Sequence, residues 1–237
     1  MKAIIKNKRM AADMTCYAEF DLQGETVSFT PGQYFFVTLK PEDEAHKDEL
    51  THHFSIVNSP AQNGLLALAT RLRLDQSLFK RTLNEANDGD SVEIGKIGGS
   101  FVLPQQTDKP VVLIALGIGI TPYISMLRWA FEDSKDFDFT LIYSDNETKS
   151  MAFLDELQQM EAQHPNLRLI TSVTRQEDWD GEKRHVDSDF IKEYLGDFAS
   201  RLYYVSGPPA VVEKVSASLK QAGIAEDAIK TDSFSGY

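Results

Sequence analysis

One cysteine, Cys16, stands in 237 residues. A disulfide needs two cysteines and the usual iron–sulfur cluster four, so this chain alone holds neither. A reducing compartment, the cytoplasm, is the expected home. Also lacking is any run of about eighteen apolar residues, the length a membrane-spanning helix requires. The opening Met1-Lys2-Ala3-Ile4-Ile5-Lys6 is too short and too interrupted to read as a signal peptide. Positive charge is scarce: 24 Lys and Arg against 36 Asp and Glu leave a net charge of -12. A surface of that sign is a poor match for nucleic acid or anionic lipid and a good one for water, or for a basic protein partner. No internal repeat, low-complexity tract or metal-binding cluster stands out.

What is present falls into two textures. The first hundred residues read as short strands: Ala3 to Lys8, Met14 to Leu22, Tyr34 to Leu39, His53 to Val57, Leu65 to Leu72 and Ser91 to Ile94. They are rich in aromatic and β-branched residues and separated by Asn58-Ser59-Pro60, Asn63-Gly64 and Asp88-Gly89-Asp90. One helix, around Ser77 to Glu85, interrupts them, and Lys40 to Leu50 reads as an acidic loop. Closely spaced short strands imply an antiparallel barrel or sandwich. From Val111 the pattern alternates strand and helix. Strands are expected at Val111 to Ala115, Phe139 to Tyr143, Leu167 to Val173 and Leu202 to Val205. Helices are expected from Pro122, at Met151 to Ala162, Asp187 to Tyr194 and Pro209 to Ala222. That alternation implies a doubly wound parallel sheet. The expected division is therefore an antiparallel β-barrel domain over 1–105 and an α/β domain over 106–237, joined through the polar stretch Gln105 to Lys109.

Three segments carry the chemistry. Gly117-Ile118-Gly119-Ile120-Thr121-Pro122 follows a buried strand and opens a helix. Glycine lets a backbone approach a pyrophosphate, the helix start offers unsatisfied N–H groups, and Pro122 suits a first helical turn. The full Gly-x-Gly-x-x-Gly fingerprint is not met, because its last position is Pro122. A tight turn without ligand is the other reading of this segment alone. Ser206-Gly207-Pro208-Pro209 repeats the arrangement after a second strand, and the carboxyl edge of an open α/β sheet is where ligands bind. In the first half, His52-His53-Phe54-Ser55 reads on its own as plain strand. It also offers a hydroxyl for a flavin N5, an aromatic ring for a ribityl chain and a cation at position 52. Lys80 and Arg81, near the start of the helix, oppose its macrodipole, a misfit that suits either an anion site or a solvated basic face.

The order and spacing of these segments resemble the ferredoxin–NADP reductase superfamily, in particular its small one-chain FAD-binding oxidoreductases. The likeness runs over nearly the whole chain. Pro31-Gly32-Gln33-Tyr34 resembles the strand before the flavin motif. His52-His53-Phe54-Ser55 stands where the family has Arg-x-Tyr-Ser or Arg-x-Phe-Ser, and Gly98-Gly99-Ser100-Phe101 resembles the turn closing the flavin domain. Gly117 to Pro122 matches the nicotinamide-domain turn, Ser206-Gly207-Pro208-Pro209 stands for Cys-Gly-Pro-Pro, and Phe234-Ser235-Gly236-Tyr237 resembles the aromatic C-terminus.

The resemblance implies an FAD-dependent oxidoreductase that takes hydride from NADH or NADPH. Its electrons would pass to a separate acceptor: a ferredoxin or flavodoxin, a cytochrome, free flavin or an oxygenase component. It implies flavin contacts from His52, Phe54, Ser55, Thr70, Arg71 and Lys80, with Ser55 positioning N5 and Tyr237 stacking on the ring until nicotinamide displaces it. Nicotinamide-nucleotide contacts are implied for Gly117, Gly119, Thr121, Pro122, Ser144, Asp145, Arg175, Ser206, Gly207 and Pro208. Asp145 would accept from a ribose 2′-hydroxyl and favour NADH, whereas Arg175 would pair with a 2′-phosphate and favour NADPH. Asp232 is the candidate for the acid that often precedes the terminal aromatics. Two departures stand out. The family arginine is His52, mostly neutral at pH 7, with Lys80 or Arg71 to compensate; the family cysteine is Ser206. These departures leave a second reading open, a non-catalytic nucleotide-binding regulatory module on the same fold.

Overall fold

The computed structural model of the chain describes residues 1–73, 75 and 77–234. It divides into two units. The first comprises Met1–Leu103 with Thr121–Trp129; the second comprises Pro104–Ile120 and the described residues from Ala130 onward.

The first unit contains β1 (Lys2–Ala12), β2 (Thr15–Asp21), β3 (Tyr34–Leu39), β4 (Thr51–Ser55), β5 (Leu65–Arg71), α1 (Leu78–Glu85) and β6 (Ser91–Gly98). Every ladder is antiparallel, and the order is β4-β3-β6-β1-β2-β5. The sheet curls into a barrel that never closes: its edges β4 and β5 lie near each other without a ladder between them. One end of this seam is tied. Val57 N–H donates to Ala67 O at 2.9 Å. The wholly buried Asn58 accepts from Ala67 N–H at 2.8 Å and donates to Leu65 O at 3.0 Å, so its amide is satisfied, as a buried polar group must be. Ser125 and Arg128 support the same loop by donating to Asn58 O (2.7 Å) and Val57 O (3.0 Å).

The alternating pattern of the strands sends Phe20, Phe35, Val37, Leu66 and Leu68 inward to meet Phe79 and Leu83 of α1. Phe20 and Phe35 meet edge to face, with centroids 5.8 Å apart, worth about 1 kcal/mol beyond the area they bury. The loop over residues 40–50 contains a single 3-10 turn, Glu44–His46.

The second sheet is parallel, ordered β11-β10-β7-β8-β9 from β7 (Val111–Leu116), β8 (Phe139–Asp145), β9 (Leu167–Val173), β10 (Leu202–Gly207) and β11 (Ile229–Ser233). Its helices are α3 (Leu154–Gln163), α4 (Ser188–Tyr194) and α5 (Pro209–Gln221). α2 (Thr121–Glu132) begins in the first unit and ends in the second. Every residue of β7 and β8 is buried, as the unbroken apolar run of β7 predicts for a strand covered on both faces; β8 also buries Thr140, Ser144 and Asp145.

Three differences from the sequence reading have physical causes. β11 was not expected, because Ile229-Lys230-Thr231-Asp232-Ser233 is mostly polar; as an edge strand it buries only Ile229 fully. α3 starts at Leu154, not Met151, because Phe153 takes the left-handed conformation at φ 62 and ends the preceding chain direction. A 3-10 turn, Gly117–Ile120, separates β7 from α2.

Candidate cofactor-binding sites

In the first unit the residues expected at the flavin gather at the open seam. β4 is an edge strand, half-buried throughout. Its alternation divides His52-His53-Phe54-Ser55 between two faces. His52 and Phe54 both meet Phe79 of α1, at ring-centroid distances of 5.0 and 5.1 Å. His53 meets Tyr34 and Phe36 at 4.9 and 5.4 Å, and Ser55 shares its side of the strand. This aromatic face was missed in the sequence, because a histidine at an unassigned position of the motif carries no signal until its register with Tyr34 and Phe36 is known. Across the seam, Thr70 is buried and Arg71 half-buried at the end of β5.

Lys80 lies beneath this site. Ser77 caps α1, its hydroxyl accepting from Lys80 N–H at 3.4 Å, and the first turn contains no acid. The Lys80 side chain is 3% exposed. It has no carboxylate partner among the described residues. Burial, with a smaller contribution from the charge of Arg73, lowers its pKa to about 8. An ammonium placed without a counter-ion at the positive end of a helix is unfavourable in isolation and becomes favourable when an anion sits there. Burial also lowers the pKa values of His52 and His53, and Lys80 lowers that of His52 further, so His52 is a neutral hydrogen-bonding group at pH 7 where the family arginine is a fixed cation.

In the second unit the two glycine turns stand at the carboxyl ends of the adjacent strands β7 and β10. Their glycines have different reasons to be there. A Cβ on Gly119 would lie 2.1 Å from Ser206 O, and one on Gly207 would lie 2.7 Å from Leu116 O. These two positions let the turns interlock. Gly117, at φ +59, would meet nothing closer than Asp145 Oδ2 at 3.9 Å, so its side is open in the way a phosphate cradle requires. Thr121, which belongs to the first unit, is buried at the start of α2 and followed by Pro122. Ser144 and Asp145 are buried at the end of β8, and Asp145 accepts from Asn146 N–H at 2.7 Å. Arg175 donates its backbone N–H to Asn146 O at 2.9 Å, while its exposed guanidinium has no ion pair among the described residues. The Ser206 side chain is wholly buried, and its hydroxyl has no hydrogen-bond partner among the described residues. Pro208 is exposed. Asp232 is the register partner of Ser206 on the next strand, and burial raises its pKa to about 6. Tyr237 lies outside the described residues. Among the described residues there is no cluster able to hold a metal and no helix long and apolar enough to cross a membrane.

Residues 113–217 match the oxidoreductase NAD-binding domain family. A flavohemoprotein of Burkholderia sp. (strain TH2) is 29% identical over 208 residues, which cover 86% of this chain and 50% of that protein. The glycine betaine monooxygenase reductase subunit of Chromohalobacter salexigens is 25% identical over 201 residues, 82% of this chain and 53% of that one. The chain thus spans about half the length of these relatives. Among solved structures, the flavohem-like FAD/NAD-binding domain of nitric oxide dioxygenase from Vibrio cholerae superposes with a TM-score of 0.85 at 20% identity, covering 98% of both chains. The chain shares its two-domain fold with that Vibrio cholerae domain and with the ferredoxin–NADP+ reductase of Plasmodium falciparum (TM-score 0.79, 19% identity), and residues 113–217 match the oxidoreductase NAD-binding domain model.

Proposed function

We propose that this chain is an NAD(P)H-dependent flavin reductase that loads electrons onto FAD and delivers them to a separate acceptor. The observation that carries the reading is Lys80: a buried ammonium with no acid beside it, at the start of α1, flanked by His52 and Arg73. A diphosphate supplies the missing charge. The open side of Gly117 is the corresponding feature of the nucleotide domain.

FAD, when bound, accepts a hydride as two electrons and releases them one or two at a time. The protein's part is binding and orientation. Lys80 and the N-terminus of α1 would hold the diphosphate, and His52 would add a neutral hydrogen bond. Phe54 would lie against the ribityl chain, and the Ser55 hydroxyl would be the group offered to the flavin N5. Gly117 would admit the phosphates of the nicotinamide nucleotide, and the buried Ser206 would back the turn beside it. Arg175 favours NADPH, since its exposed guanidinium, with no ion pair among the described residues, suits a 2′-phosphate, while the Asp145 bond from Asn146 N–H uses Oδ1 alone. Acceptors of the two kinds named among the relatives, a haem and an oxygenase component, both fit.

An anaerobic absorbance titration of FAD-reconstituted protein tests the reading. NADPH is expected to bleach the flavin bands, and Arg175→Ala to raise the NADPH requirement about tenfold or more while leaving that for NADH unchanged. Absence of bound flavin, or flavin that neither nucleotide reduces, overturns the proposal in favour of a nucleotide-binding module without redox chemistry.

A further inference from the structure

β8 and β9 run in parallel register as far as Asp145–Val173, and the chain beyond each strand stays joined. Thr174 N–H donates to Asp145 O at 3.0 Å, and Arg175 N–H to Asn146 O at 2.9 Å. Gln176 then reaches back with its side chain. Its Oε1 accepts from the Thr148 N–H at 3.0 Å and from the Thr148 hydroxyl at 2.8 Å. Thr148 opens a short 3-10 turn, Thr148–Ser150. The first N–H groups of such a turn need acceptors from outside it. Glu147 precedes the turn but gives no capping bond from its side chain; the cap comes from Gln176, 28 residues on. Thr174, Arg175 and Gln176 are thus each tied to the loop after β8. The Arg175 guanidinium at their centre is exposed, with no ion pair among the described residues.

We propose that Gln176 is a positioning residue for the nicotinamide nucleotide: by clasping Thr148 it holds Arg175 where a ribose 2′-phosphate meets it, a role that rests on the reading of Arg175 as that phosphate's partner. A loop already fixed loses less freedom when its ligand arrives, and binding is tighter by that amount. Only a ligand that touches Arg175 gains from this, so Gln176 acts on the choice between NADPH and NADH and not on nucleotide binding in general. Both bonds share one acceptor atom, so loss of Gln176 releases the N–H and the hydroxyl of half-buried Thr148 together.

Calorimetric titration of the purified chain with 2′,5′-ADP and, separately, with 5′-AMP tests this role without flavin reduction. The wild-type chain is expected to bind 2′,5′-ADP at least about tenfold more tightly than 5′-AMP. Gln176→Ala is expected to weaken 2′,5′-ADP about fivefold and to leave 5′-AMP within about twofold. Thr148→Val removes the hydroxyl and keeps the N–H, and is expected to weaken 2′,5′-ADP about twofold. Added to Gln176→Ala it is expected to cause no further loss, because both changes break the same contact. A wild-type chain that binds the two nucleotides equally overturns the Arg175 reading, and this role with it. A preference kept in full by Gln176→Ala overturns the role of Gln176 alone. So does an equal loss for both nucleotides, or a Thr148→Val loss that adds in full to that of Gln176→Ala.

Discussion

Lys80 was singled out in the sequence because it stands on the wrong end of a helix for its charge. The misfit was legible; its burial was not, since nothing in the spacing of α1 says that position 80 faces inward with Phe79, Thr82 and Leu83. With its pKa lowered to about 8, Lys80 makes anion binding pH-dependent. FAD affinity is expected to fall as pH rises through about 8, and Lys80→Arg to remove that dependence, both measurable by fluorescence titration. Lys80→Met is expected to weaken FAD by one to two orders of magnitude, the scale of a lost charge-assisted hydrogen bond. Stability of the flavin-free protein moves the other way. Between about 8 and 10.5 the unfolded chain binds more protons at this site than the folded one, so stability rises with pH. The glycines separate as clearly. Gly119→Ala drives a Cβ into the Ser206 carbonyl and is expected to cost at least about 2 kcal/mol in denaturant unfolding. Gly117→Ala meets no such contact and is expected to cost about 1 kcal/mol, the left-handed backbone alone.

At the scale of elements, the end of α2 offers a stabilising change. Lys135 N–H donates to Ala130 O at 2.7 Å and Ser134 N–H to Phe131 O at 3.2 Å, the paired bonds of a Schellman motif. The left-handed position, which favours glycine, is the exposed Ser134 at φ 50. Ser134→Gly is expected to add about 1 kcal/mol and raise the melting temperature by a few degrees. Most elements were legible because their apolar periods are strong: β7 as an unbroken run, α5 through Val212, Val215 and Leu219. What escaped depends on partners distant in sequence. β11 is a strand only because β10 is beside it in register from Tyr203–Ile229 to Gly207–Ser233. The start of α3 is set by one backbone torsion. The aromatic contacts of His53 depend on the pairing of β3 with β4, and the support of the β4–β5 loop by Ser125 and Arg128 spans about seventy residues.

For the molecule as a whole, acid titration has an identifiable contributor in Asp232, whose pKa burial raises to about 6 from 3.8. A protonated carboxyl is favoured in the fold, so this stabilising contribution is complete below about pH 4 and is lost as pH rises through 6. Asp232→Asn is expected to flatten the stability profile between those values, read by chemical denaturation across pH. The unclosed barrel has a consequence of another kind. Its two edge strands, β4 and β5, carry residues proposed to contact the flavin, and a strand without a neighbour is a template for one from another chain. A cofactor bound along the gap, as proposed, would shield both margins at once. Flavin starvation would then show first as loss of solubility: freshly made protein would associate edge to edge while its circular dichroism still looked native, and supplementing the culture with riboflavin would recover it.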